Sequence, residues 1–159
     1  MKITAEIARK YLRYDPGTGE FIRLIATAKR TKVGDKAGYL SGCGYRYLRL
    51  LGEVLKCNRL AWLMHYGEWP TQHVDHMNGD RSDDRISNLR QCSPLENAQN
   101  RISPKGAYKT KHGKYTASVT KDGKAHYLGR FSTESAARSA YVEAKLSLHP
   151  FAIKETLNA

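Results

Sequence analysis

Between Gln72 and Arg101 the chain reads QHVDHMNGDRSDDRISNLRQCSPLENAQNR, and this stretch restricts the fold more tightly than any other. Asp75 and His76 precede Asn78-Gly79, a dipeptide that accepts positive φ and so turns one strand back on another. Asn88 stands ahead of a second short run suited to a strand. Ser93-Pro94-Leu95-Glu96 is then a capping box with proline at the first helical position, which specifies where a helix starts. The order is strand, turn, strand, helix. On that helix Asn97, Asn100 and Arg101 fall at i, i+3 and i+4 and share one face.

Charge narrows the class of partner. Lys and Arg number 27 against 15 Asp and Glu in 159 residues, a net charge of +12. A protein this basic usually meets a polyanion, with nucleic acid first among them. Residues 1–57 carry 12 basic and 5 acidic side chains, residues 58–102 carry 5 and 6, and residues 103–159 carry 10 and 4. Two basic flanks thus bracket a nearly neutral centre, which suits flanks that hold a phosphate backbone and a centre whose carboxylates hold a cation. Cys43, Cys57 and Cys92 are odd in number and contain no Cys-x-x-Cys pair. A structural zinc site is not expected, and the three are read as reduced, packed or half-buried thiols of a cytoplasmic protein. No apolar run approaches the roughly 18 residues of a membrane span, and the start of the chain lacks a signal-peptide core. No membrane partner is expected.

In the N-terminal flank Thr4 is placed to cap a helix ending near Tyr14, with Ile7, Tyr11 and Leu12 as its apolar side. Asp15-Pro16-Gly17-Thr18-Gly19 is turn chemistry, and Glu20 to Ile25 reads as a strand. In Tyr45 to Leu50, Tyr45, Tyr47 and Arg49 share one face and Arg46, Leu48 and Leu50 the other; Gly52-Glu53 turns the chain into Val54 to Cys57. The Tyr and Arg face either lies against nucleic acid, with Arg49 on a phosphate, or is a solvated sheet face over the core. Asn58 reads as the cap of a helix from Arg59 to Tyr66, closed by Gly67 and Pro70, and His65 as structural.

For chemistry, His76 is the natural general base, because an imidazole titrates near neutral pH and can take a proton from water. Asp80, Asp83 and Asp84 read as solvated loop charge. His73 lies two residues before Asp75 on the same strand face and reads as an ordinary strand residue, with a contact to Asp75 or a phosphate as the alternative. The ordered set Asp75, His76, Asn88 and Asn97, with the preceding phrase NRLAWLMHYGEWP, resembles the HNH endonuclease family. That resemblance implies a ββα-metal fold that grips one divalent ion and cuts a phosphodiester backbone. It implies Asp75 and Asn97 as the ligands of Mg²⁺ or Mn²⁺, with the strand ending at the Asp75-His76 pair. It also implies Asn88 as the residue whose amide ties the loop and fixes the strand that carries His76. Asn100 and Arg101 either reach phosphates flanking the cut or are ordinary exposed residues. Asn58 stands where the family often has histidine, and Asp84 where it often has asparagine.

Beyond a Ser103-Pro104-Lys105-Gly106 linker come three strand candidates, Ala107 to Lys109, Lys114 to Thr120 and Ala125 to Phe131. Thr133 then caps a helix with Ala136, Ala137, Ala140, Tyr141 and Ala144 as a narrow stripe. GKYTASV, YLGRFSTESAARSAY and HPFA resemble the AP2 DNA-binding domain. By that resemblance Lys109, Lys111, Lys114, Tyr115, Lys121, Lys124 and Arg130 lie where DNA contacts come from. Lysine in these places favours phosphate over bidentate base reading.

The fold expected is therefore α+β. It has a basic β-rich region over 1–57, an HNH ββα-metal core over 58–102, and an AP2-like three-stranded antiparallel sheet plus helix over 103–159. The function expected is metal-dependent cleavage of double-stranded DNA, similar to phage homing endonucleases. With one site per chain, a monomer, the favoured state, is expected to nick one strand, and a double-strand cut needs a dimer or two sequential events. The rivals are a DNA-binding regulator with an inactive core and an RNA-binding or RNA-cutting protein.

Overall fold

The Thr4 hydroxyl accepts from the Ile7 amide at 3.3 Å, so the chain enters α1 (Ala5–Tyr11) at the marked cap. The helix ends earlier than its apolar spacing suggests, because Leu12 takes φ −136° and starts strand β1 (Leu12–Tyr14). Leu12 pairs with β2 (Phe21–Arg23) and is almost completely buried. In this computed structural model residues 2–99 and 106–152 are described. Asn100, Arg101 and the first three residues of the expected linker lie outside them.

β2 also pairs with β3 (Lys36–Ala37), and a second antiparallel sheet runs β4 (Tyr39–Leu40), β5 (Arg46–Leu50), β6 (Glu53–Lys56). Leu48 and Leu50 of β5 are buried and Arg49 is exposed, so the expected alternation holds there. Helix α2 (Cys57–Tyr66) follows without a break and sinks Leu60, Ala61, Leu63 and Met64 into the same core as Leu12, Phe21, Leu48 and Leu50. Each fully buried leucine or phenylalanine there contributes about 1.5–3 kcal/mol relative to exposure. The α2 helix closes on Gly67 in the left-handed region, whose amide donates to Leu63 O.

Asn58 is not the cap of α2. It is buried inside the first turn, where its Nδ2 donates to Val74 O at 3.0 Å and its Oδ1 accepts from the Arg59 amide at 2.8 Å. Its side chain is therefore spent on tying α2 to the next strand, β7 (His73–His76). That strand pairs antiparallel with β8 (Leu89–Cys92), placing Asp75 opposite Arg90 and His76 opposite Leu89. A single 3-10 turn, Ile86–Asn88, leads into β8.

These elements make up one compact unit, Met1–Ser93; Pro94–Ala159 form another. The second begins with α3 (Pro94–Gln99), which starts at the proline of the capping box. It continues with a sheet in the order β11-β10-β9, from β9 (Ala107–Lys109), β10 (Tyr115–Lys121) and β11 (Lys124–Phe131). Thr133 caps α4 (Glu134–Leu148) by accepting from the Ala136 amide. Ala137 and Tyr141 of α4 pack with Ala117 and Val119 of β10 as this unit's own core. Of the expected small-residue stripe Ala137 and Tyr141 are buried, Ala140 and Ala144 are half-buried and Ala136 is exposed, while Lys145 is buried with the first two.

Among the described residues no helix is long and apolar enough to cross a membrane. Cys57 and Cys92 are buried and Cys43 is exposed, all three as free thiols.

Candidate active site

The loop from β7 to β8 is stapled by one side chain. Asn88 Oδ1 accepts from the Asn78 amide at 3.0 Å, and its Nδ2 donates to Asp83 O at 2.9 Å. Its own carbonyl accepts from the Met77 amide at 2.8 Å. Asn78 Nδ2 donates to Asp83 Oδ2, and Asp83 also takes Nε and Nη2 of Arg85 at 2.7 and 2.6 Å. The Arg85 hydrogen bonds hold the Asp83 carboxyl below its usual range, and Ser82 does the same for Asp80. The loop is thus a closed hydrogen-bonded frame with β7 ending at His76 on one side.

Asp84 does not belong to the solvated loop charge expected for it. It is 1 % exposed, and its Oδ1 lies 3.3 Å from Nε2 of His76, which is 2 % exposed. Burial pushes the Asp84 carboxyl above its usual range, and the His76 hydrogen bond only partly offsets this. Oδ2 of the same carboxylate is buried with no hydrogen-bond partner. When the Asp84 carboxylate is ionised it only accepts, and the pairing then puts the imidazole hydrogen on Nε2 and leaves the lone pair on Nδ1.

The N-terminal flank forces Asp84 inward. The Tyr14 hydroxyl donates to Asp84 O at 2.8 Å, and the Ile86 amide donates to Pro16 O at 3.1 Å. Burial and the neighbouring carboxylates raise the Tyr14 phenol well out of its ordinary range, so it remains a donor. At Gly19, with φ +75°, a Cβ would lie 2.6 Å from both Arg85 N and Asp84 C. Only glycine lets the two backbones approach this closely. The turn over residues 15–19 is therefore a buttress for the 83–86 loop, a role that local turn chemistry alone did not reveal.

At the end of β7 Asp75 and His76 take different partners. Asp75 Oδ2 accepts from Nε and Nη2 of Arg90 at 3.1 and 3.0 Å, a pair that is mostly buried. Arg90 was missed in the sequence. Its signal was available in the register of the two strands, which sets opposite charges directly across from each other. Asn97 lies half-buried on α3 in the second unit. Among the described residues no group of three or more His, Cys, Asp or Glu side chains could hold a metal ion. The Asp75 carboxylate and the Asn97 amide oxygen are each hard donors, the type that Mg²⁺ takes together with waters and substrate oxygens.

Of the other residues singled out in the sequence, Arg49 is exposed on β5 and His73 is exposed at the start of β7. Lys109, Lys111, Lys114, Lys124 and Arg130 are exposed in the second unit; Lys121 is half-buried. Tyr115 is half-buried and packs against that unit's core.

The family model described as HNH endonuclease matches residues 56–99, from the end of β6 to the end of α3. Over 129 residues the chain is 31% identical to an uncharacterized HNH endonuclease of Acanthamoeba polyphaga mimivirus; the match covers 79% of this chain and 68% of that protein. No solved structure matches the chain.

Proposed function

The chain belongs to the HNH endonuclease family, and from that premise we propose that it is a metal-dependent nuclease that hydrolyses phosphodiester bonds in duplex DNA. The observation that supports this best is the enclosed His76–Asp84 pair at the end of β7. A buried carboxylate facing an imidazole orients the ring and stabilises the imidazolium that forms when the ring takes a proton. In this reading Nδ1 of His76 takes the proton of the attacking water, a task that contributes about 10²–10⁴ in rate when the base is well placed. Asp84 holds the ring in the tautomer that makes this transfer possible. Asn88 keeps the loop closed so that the end of β7 does not drift.

Asp75 and Asn97 are assigned to one divalent ion, Mg²⁺ or Mn²⁺. When bound, that ion would supply charge stabilisation to the phosphorane-like transition state and to the departing oxygen. Arg90 holds the Asp75 side chain fixed before any ion arrives. The second unit serves in this reading as an AP2-like anchor. Lys109, Lys111, Lys114, Tyr115, Lys121, Lys124 and Arg130 hold the duplex, and Asn100, Arg101 and Arg49 contact backbone phosphates. With one such site per chain, the product is a nick.

A direct test offers labelled duplex DNA, single-stranded DNA and RNA to the purified protein with Mg²⁺ or Mn²⁺. The reading expects the duplex to be cut, with EDTA stopping the reaction. Cleavage confined to RNA would replace it with a ribonuclease, and tight duplex binding with no cut in either metal would replace it with a DNA-binding regulator.

A further inference from the structure

Beside the His76 pair, one ring collects two cations. Tyr45 lies 5.9 Å from the His76 ring, centroid to centroid. Lys56 Nζ sits 4.2 Å from the Tyr45 centroid, and the Arg81 guanidinium carbon 5.1 Å from it. Arg81 is fixed further by donating from Nη1 to Cys43 O at 2.9 Å, and Lys56 also lies 6.0 Å from the Tyr47 ring. Among the described residues neither Lys56 nor Arg81 has a carboxylate partner, whereas Arg85 and Arg90 are each paired with an aspartate.

A second observation points the same way. Lys56 is the N-cap of α2, makes no side-chain capping hydrogen bond, and is followed by a first turn with no acidic residue. A helix N-terminus carries partial positive charge and favours an anion, so a lysine at that cap adds like charge where a carboxylate or polar cap is usual. Two unpaired cations on one ring at the positive end of a helix form an arrangement that lacks its anion.

We infer that Lys56 and Arg81, held in place by the ring of Tyr45, bind a backbone phosphate of the strand to be cut, adjacent to the phosphate on which His76 acts. This rests on the endonuclease reading of His76. Two cations approach the Tyr45 ring, so the ring serves to aim them more than to stack a base. A lysine and an arginine at this spacing suit phosphate oxygens, one as a point charge and the other as a planar fork. Contacts of this kind fix the register of the strand without reading its sequence.

The test measures binding of a labelled duplex to the full chain in EDTA, where no cutting occurs, across a range of KCl concentrations. Lys56→Met and Arg81→Met should each weaken binding roughly five- to tenfold and lower the salt slope by about one, uniformly across DNA sequences. Tyr45→Leu should fall to the level of the single cation variants although it removes no charge, while Tyr45→Phe should bind as wild type does. Arg81 is exposed, so Arg81→Gln provides a second substitution that leaves the fold untouched, with thermal melts as the check. Wild-type affinity and salt slope in the Lys56→Met/Arg81→Met double variant would overturn the site, and unchanged binding by Tyr45→Leu would overturn the role of the ring. Cleavage by the wild type in Mg²⁺ is scored separately. A wild type that binds duplex and never cuts removes the endonuclease reading, whereas a cutting wild type with unaffected variants removes only this site.

Discussion

Gly19 touches no atom assigned to catalysis, yet replacing it with alanine should disable the site. The residue has φ +75°, a region that costs an L-residue about 1–2 kcal/mol. The added Cβ would stand 2.6 Å from Arg85 N and Asp84 C, both backbone atoms that no rotamer change can move. Relief to an ordinary contact of 3.4 Å requires the 83–86 loop to back away by about 0.8 Å. The Asp84–His76 hydrogen bond is already 3.3 Å long, so such a shift breaks it. The same movement pulls on the Tyr14–Asp84 and Ile86–Pro16 hydrogen bonds, worth about 0.5–1.5 kcal/mol each. Together these give a loss of roughly 3 kcal/mol, a fall in Tm on the order of 15 °C for a unit of this size. Misplacing a catalytic group by this distance costs roughly 10- to 100-fold in rate. The assays are thermal melting followed by circular dichroism and single-turnover nicking well below the Tm. A Gly19→Ala protein that melts and cuts like wild type would refute the close approach. One that is destabilised but cuts at full rate would detach the placement of Asp84 from catalysis.

Three further substitutions test the frame. Burial holds the Asp84 pKa above its ordinary value, so the folded chain binds more protons than the unfolded one between the two values, and stability falls as pH rises through that window. Asp84→Asn removes that titration, so its melting temperature relative to wild type should rise as pH rises through the window, and it should cut about 10- to 100-fold more slowly; an equally fast Asn variant would show that Asp84 does not position His76. Arg90→Met removes the clamp on Asp75 and should raise the Mg²⁺ concentration for half-maximal cleavage by about 10-fold, against no change if the ion pair is only structural. Asn58→Ala leaves Val74 O without its donor and should cost about 1–3 kcal/mol in urea unfolding, where a loss within error would mean that β7 does not depend on that tie.

What could be read from the chain was local. The Asn78-Gly79 turn, the start of α3 at Pro94 and the caps at Thr4 and Thr133 each depend on a few neighbouring residues, and the backbone follows them. The two-residue strands β3 and β4 left no alternation to detect; they exist because β2 and β5 offer them an edge. The end of α1 was misread because Leu12 satisfies a helical face and a strand equally well by spacing, and only pairing with β2 decides between them. Asn58 is of a type that favours caps, but the nearby carbonyl of Val74 claims its side chain. Asp84 was the largest miss. Its pairing with His76 is enforced by Tyr14 and Gly19, some 70 positions earlier in the chain, and no local pattern carries that information. The clue in the sequence was the departure itself, an aspartate where the resembling family often has asparagine.

The most direct measurement of the central claim follows supercoiled plasmid in Mg²⁺ and in Mn²⁺ with the wild type and with His76→Ala, each beside an EDTA control. Conversion to open circles by the wild type is expected, abolished by EDTA and slowed about 10²- to 10⁴-fold in the variant. A His76→Ala protein that nicks at the wild-type rate would contradict the assignment of His76 as the base.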